Sequence, residues 1–144
     1  MIRHFDHVTI AVNDLDAARS FFSLLGFEVA IDVTISGERM DTYMGIEGLL
    51  ADHVTLVLPG STPRLEVQLL KFHRPEARSD PNIARLDKIG FNHICFAVDD
   101  IEAEIARLKQ HGVALRNELM TFHDRKLVYL VGPEGVTVEL AQWV

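Results

Sequence analysis

The sequence predicts an α+β fold made of two βαβββ modules in tandem, and three observations carry that prediction. The first is an internal repeat. The segment FDHVTIAVNDLDAARSFFSLLGFEV, starting at Phe5, matches FNHICFAVDDIEAEIARLKQHGVAL, starting at Phe91, in residue type and order. His7 aligns with His93, Ala11-Val12 with Ala97-Val98, Asp14 with Asp100 and Gly26 with Gly112. The second is that each copy runs from a short β-rich stretch through a polar pair into a helical period. The third is a strong turn signal before the last extended stretch of each copy, Pro59-Gly60-Ser61 and Gly132-Pro133-Glu134-Gly135.

Taken in order, His7 to Val12 reads as a strand, and Asn13-Asp14 ends it and offers a helix N-cap. The helix that follows carries Phe21-Phe22 and Leu24-Leu25, which suit a helix-to-sheet core, and stops at Gly26, where a left-handed cap favours glycine. Three extended stretches follow: Phe27 to Ile35, a poorly defined piece ending in His53 to Leu58, and Leu65 to Phe72. His73 to Gly90 holds Pro75, Pro81 and many charges without strand alternation, and reads as a linker. The second copy begins with a strand over His93 to Val98 and a polar pair at Asp99-Asp100. Ile101, Ile105 and Leu108 then recur at helical spacing, with acidic residues early and basic ones late to complement the helix dipole. Gly112 ends that helix. Val113 to Thr121, Lys126 to Val131 and Val136 to Trp143 complete the module. The expected organisation is one domain over residues 1–144, with module one at 1–72, the linker at 73–90 and module two at 91–144.

Composition bounds the function. The 144 residues are 48% hydrophobic and 24% charged, which suits a single packed domain. The net charge of −7, with the basic residues scattered, argues against nucleic acid or an anionic membrane as partner. One cysteine, Cys95, allows neither an internal disulfide nor a cysteine-rich zinc module, so a cytoplasmic location is expected. No apolar run approaches the roughly 20 residues that cross a bilayer. The opening MIRHFDHVTIAVNDLDAARS turns polar too soon for a signal peptide.

Strand alternation puts His7, Thr9 and Ala11 on one face, and likewise His93, Cys95 and Ala97. In the closing strands Glu66, Gln68 and Leu70 share a face, as do Thr137, Glu139 and Ala141. Each copy thus offers a histidine on its first strand and a carboxylate or amide on its last. Imidazole, carboxylate and amide donors suit a divalent ion such as Zn, Ni, Co, Mn or Fe, with positions left open to water or substrate. A lone strand histidine would more simply be a hydrogen-bonded core residue. Repetition at equivalent positions reverses that reading.

These segments, together with VQLLKFHRP and LVYLVGPEGVTVELAQ, resemble the vicinal oxygen chelate superfamily, which includes glyoxalase I, methylmalonyl-CoA epimerase, extradiol dioxygenases and the fosfomycin and bleomycin resistance proteins. The resemblance covers nearly the whole chain. It implies an open cup-shaped mixed β-sheet with helices outside, around one divalent metal ion held by His7, Gln68, His93 and Glu139. A His-Gln-His-Glu set is similar to that of methylmalonyl-CoA epimerases, whereas bacterial glyoxalase I usually carries Glu where this chain has Gln68. Many relatives have Asp-Pro in the turn where this chain has Gly132-Pro133. Because Glu66 and Gln68 share a face, a register slip would make Glu66 the ligand instead.

The activity so implied is that of a lyase or an isomerase/epimerase, moving a proton next to a metal-bound carbonyl of a small-molecule substrate, with Glu139 as ligand and catalytic base. The alternatives are an iron(II) dioxygenase of extradiol type and a non-catalytic drug- or metabolite-binding protein. A homodimer is expected, because open sheet edges invite cover by a second subunit. Glu47, Glu66 and His53 are further possible bases but read more simply as exposed loop or strand residues. His4, His111 and His123 read as exposed, Arg125 and Lys126 as a solvated turn, and Cys95 as a buried, inert thiol.

Overall fold

The computed structural model describes Met1 to Val144 and divides into two compact units, Met1–Ser79 and Asp80–Val144. In the first, β1 (His7–Ala11), α1 (Leu15–Leu24), β2 (Glu28–Ser36), α2 (Glu38–Met44), β3 (Leu50–Val57) and β4 (Glu66–Arg74) form a sheet of order β1-β4-β3-β2. The β1/β4 pair is parallel and the other pairs are antiparallel. In the second, β5 (His93–Ala97), α3 (Ile101–Gln110), β6 (Met120–Phe122), β7 (Arg125–Val131) and β8 (Thr137–Trp143) give the matching order β5-β8-β7-β6, again with one parallel pair, β5/β8. The fold is α+β, with two four-stranded mixed sheets.

The repeat is legible in the helix caps. Asp14 accepts from Ala17 N and Asp100 from Ala103 N, both at 2.9 Å, each bond contributing on the order of 1 kcal/mol. Gly26 and Gly112 follow the caps with φ of +92° and +81°, the left-handed region only glycine enters freely. One face of each sheet is apolar. Ile10, Val54, Leu56, Val67 and Leu69 are buried in the first unit together with Ala18, Phe21 and Phe22 of α1. Phe22 meets Phe21 and Phe27 edge-on, with centroids 5.3 and 5.8 Å away. In the second unit Val128, Leu130, Val138 and Leu140 are buried with Ile101, Ile105 and Leu108 of α3, and Lys126 Nζ donates to Glu102 of that helix at 2.5 Å.

Several expectations need correction. The poorly defined piece before His53 contains α2. Thirteen residues separate β2 from β3, whereas two separate β6 from β7, so the first module carries an insertion that the second lacks. Asp41 holds it, its carboxylate accepting from Gly48 N at 2.8 Å and Leu49 N at 2.9 Å while Leu49 is buried. The stretch expected to be extended from Val113 becomes a strand only at Met120. Before that, Arg116 N donates to Tyr129 O and the Asn117 side chain accepts from Tyr129 N, so a side-chain amide replaces part of the ladder. The linker is also shorter than expected. His73 and Arg74 belong to β4, and the end of the segment is tied into the second unit by Lys88–Asp80 and Asn92–Leu86 bonds.

Gly132 fits this turn because it carries no side chain. A Cβ there would come within 2.8 Å of Val136 O and 2.9 Å of Val138 Cγ2. No helix is long and apolar enough to cross a membrane.

Candidate metal centre

In the first unit the parallel register sets His7 beside Glu66 and Thr9 beside Gln68, and the antiparallel β3 adds Thr55 opposite Gln68 and His53 opposite Leu70. Directly paired residues point to the same side. His7, Thr9, His53, Glu66 and Gln68 therefore share the face away from the α1 core. Gln68 is the hub: its Oε1 accepts from Thr9 Oγ1 at 3.3 Å and from His53 Nε2 at 3.2 Å, and its Nε2 donates to Glu66 Oε2 at 3.2 Å. Glu66 in turn accepts from Arg64 Nε at 2.5 Å. Both lone pairs of the Gln68 oxygen are engaged, so a metal bound there displaces Thr9 or His53. His7 Nδ1 meets Asp6 Oδ1 at 2.6 Å, a bond that holds the Asp6 carboxyl below its usual range.

A cavity of about 270 Å³ opens on this face. Its polar wall is His7, Thr9, His53 and Gln68, and its apolar wall is Ile35, Leu70 and the α2 residues Met40, Tyr43 and Met44. Glu66 does not line it. Asp6, His7 and Glu66 nevertheless present ligand atoms within 4.8 Å of one another, so a Glu66-centred donor set is also sterically available.

In the second unit Glu139 is buried, 8% exposed, on the corresponding face of β8. Its Oε2 stands 3.2 Å from His93 Nε2. His93 Nδ1 meets Asn92 Oδ1 at 2.8 Å, and the ring packs edge-on to Tyr129 with centroids 5.2 Å apart. Because Nδ1 faces an acceptor, a neutral His93 turns the lone pair of Nε2 toward a carboxylate oxygen. Two lone pairs at that separation repel unless a proton or a cation lies between them. Two ligands, each about 2.0–2.2 Å from one ion at tetrahedral or octahedral angles, stand roughly 3.0–3.5 Å apart. The pair fits a shared divalent ion.

Cys95, paired in register with Glu139, is exposed rather than buried. Desolvation of the thiol first, and then its hydrogen bond to Glu139 and the carboxylate charge, push its pKa up to about 12, which keeps it in the less reactive thiol form at neutral pH. The same causes, desolvation first and then the Glu139 charge, raise Tyr129. Arg125 stacks over Trp143 at 4.1 Å and Lys126 is paired with Glu102, so neither is a free turn cation. His53 is the site-face residue that sequence reasoning set aside. Its alternation with Thr55 on β3 was the available signal, but without a pairing register it pointed to neither face.

Fold and site together define a class: tandem βαβββ units, each with a histidine on its first strand and an amide or carboxylate on its last. The family model described as the Glyoxalase/Bleomycin resistance protein/Dioxygenase superfamily matches residues 6–129, and the chain belongs to that superfamily. It is 34% identical over 151 residues to the ethylmalonyl-CoA/methylmalonyl-CoA epimerase of Cereibacter sphaeroides, covering 99% of both chains. It is 22% identical over 145 residues to the lactoylglutathione lyase of Schizosaccharomyces pombe, covering 96% of this chain but only 44% of that one. Among solved structures, a glyoxalase family protein from Bacillus cereus superposes with a TM-score of 0.89 at 27% identity, covering 100% of this chain and 96% of that one. The fosfomycin resistance protein FosX of Listeria monocytogenes, solved with Mn(II) and sulfate, does so with a TM-score of 0.64 at 18% identity, covering 100% and 95%.

Proposed function

We propose that this protein is a divalent-metal-dependent lyase or isomerase/epimerase that moves a proton next to a carbonyl of a small metabolite. His7, Gln68, His93 and Glu139 are the metal's protein ligands in this reading. The observation that carries it is the 3.2 Å approach of His93 Nε2 to the buried Glu139 carboxylate, which calls for a cation or a proton between them. The likeness to an epimerase along 99% of both chains supports the choice of branch.

When bound, a divalent ion supplies Lewis acidity that offsets the negative charge developing on a carbonyl oxygen as the neighbouring C–H bond breaks. The chain supplies the rest. Glu139 accepts the proton at a carboxylate oxygen, its burial keeping water from competing. His53, donating through Nε2 to Gln68, keeps its Nδ1 lone pair and is a proton acceptor on the wall of the first unit's cavity. The Gln68 lone pair that the longer Thr9 contact occupies, at 3.3 Å, is the one open to an ion, and Met40, Met44, Ile35 and Leu70 seat the apolar part of the substrate. A homodimer in the cytoplasm completes the proposal.

Solvent-deuterium exchange tests this. Protein loaded with Zn, Ni, Co or Mn is incubated in D2O with a set of acyl-thioesters and α-hydroxythioesters, and exchange of the hydrogen next to the carbonyl is followed by NMR. Metal-dependent exchange that Glu139→Gln abolishes is expected. Turnover that instead consumes oxygen and requires iron would overturn the reading in favour of a dioxygenase.

A further inference from the structure

The two histidines of the proposed metal set are presented by a device that repeats with the modules. The residue immediately before each one, Asp6 or Asn92, folds its side chain onto Nδ1 of the ring, at 2.6 Å for His7 and 2.8 Å for His93. We propose that Asp6 and Asn92 are positioning residues that hold His7 and His93 as the Nδ1–H tautomer, so that Nε2 of each ring keeps its lone pair for the donor set.

The proton positions follow from the partners. A carboxylate only accepts, so Asp6 requires a proton on Nδ1 of His7. An amide can turn either end toward a neighbour, and here the second contact decides. Asn92 Nδ2 donates to Leu86 O at 2.6 Å, and a carbonyl cannot donate in return, so Oδ1 is the end that faces His93. Leu86 fixes Asn92, and Asn92 fixes His93. The two modules thus reach the same tautomer with different chemistry, a charged acceptor in one and an amide steered by the backbone in the other.

Position in the strand makes this possible. Within a ladder the preceding side chain would point to the opposite face. β1 and β5 begin at His7 and His93 themselves, so Asp6 and Asn92 stand just outside the regular pleat, where their short side chains turn back onto the ring. Asp6 is still tethered, its carbonyl accepting from Glu66 N at 3.4 Å. A partner on the non-ligating nitrogen selects the tautomer and raises the basicity of the other nitrogen, and losing it typically weakens metal binding about 10–100-fold. Asp6, being charged, should sit toward the upper end of that range.

The purpose of the device rests on the metal reading above, but its existence does not, and the experiment separates the two. Histidine-labelled full-length protein without metal is examined by nitrogen NMR at a pH where imidazole is neutral, His7 in wild type and His93 in a Glu139→Ala background, where no carboxylate draws the proton onto Nε2. Both His7 and His93 should show a protonated Nδ1. Asp6→Ala should turn only His7, and Asn92→Ala only His93, into a mixture of tautomers. A proton on Nε2 of either ring in those backgrounds, or tautomers unmoved by the alanine variants, would overturn the proposal. Zinc alone is then titrated against a competing chelator. Binding weakened about 10–100-fold by each alanine variant is expected, and unaltered affinity in variants whose tautomers have changed would overturn the positioning role. If wild type binds no zinc, the metal reading fails, while the NMR result still decides the tautomers.

Discussion

His93 Nε2 and Glu139 Oε2 stand 3.2 Å apart on neighbouring parallel strands, although His93 is in register with Thr137 and Glu139 with Cys95. The contact is diagonal, reached by a long carboxylate side chain leaning along β8. His93→Ala and His7→Ala should each purify with far less bound metal than wild type, as measured by elemental analysis of protein prepared without chelator. Stoichiometric metal in both variants would remove these residues from the site. Chelation of the wild type should also lower its melting temperature, since a ligand at 100 times its Kd adds about 2.7 kcal/mol to stability.

Gln68 and Glu66 make competing claims to one ligand position. Gln68 lines the cavity, and Glu66, held by Arg64, does not. Gln68→Glu adds a negative charge to the donor set, so it should tighten metal binding while weakening the ion's pull on a carbonyl. Glu66→Ala should change affinity little. A competitive titration of both variants checks this, and loss of binding confined to Glu66→Ala would transfer the site to the Asp6, His7 and Glu66 cluster.

Cys95 is exposed yet carries a thiol pushed up to about 12. Its alkylation by iodoacetamide should be slow at neutral pH and rise steadily into the alkaline range, because the thiolate reacts. Glu139→Gln removes the opposing charge and lowers the thiol pKa. Each unit recovered raises the thiolate fraction about tenfold, so the variant should react faster. Wild-type rates matching those of a free thiol would refute the coupling between these two side chains.

Asp41 carries the α2 insertion on two backbone bonds, to Gly48 and Leu49. Asp41→Ala leaves both N–H groups without that acceptor and should cost about 1–3 kcal/mol. Tyr43→Ala, at an 80% exposed position on the same helix, should change stability by less than about 0.5 kcal/mol. Urea denaturation of the two variants compares them, and equal midpoints would show that Asp41 does not anchor the insertion.

Ile31 and Val33, on the edge strand β2, are 48% and 46% exposed. Apolar side chains on an unpaired edge favour cover by another chain. Light scattering at micromolar concentration should give a dimer, and Val33→Glu should weaken it. A mass of 16.2 kDa for wild type would refute the dimer.

The sequence by itself determined the tandem architecture, because a repeat, helix caps at Asp14 and Asp100 and glycines at Gly26 and Gly112 are local signals that need no partner strand. It also brought out His7, His93, Glu139 and the pair Glu66 and Gln68 as candidates, since alternation assigns faces within a strand, while the preference for Gln68 over Glu66 came from the family resemblance. Only the tertiary structure decided what those faces meet. Strand pairing is a non-local contact whose register the sequence does not print, so it took the β3/β4 ladder to bring His53 onto Gln68 and the diagonal reach of Glu139 to set it against His93. The α2 helix was illegible for a related reason. Its seven residues bury none of their own side chains, and Met40, Tyr43 and Met44, although at helical spacing, span too short a stretch to establish a period. Its place is set instead by the Asp41 carboxylate and by Leu49, which packs from outside the helix.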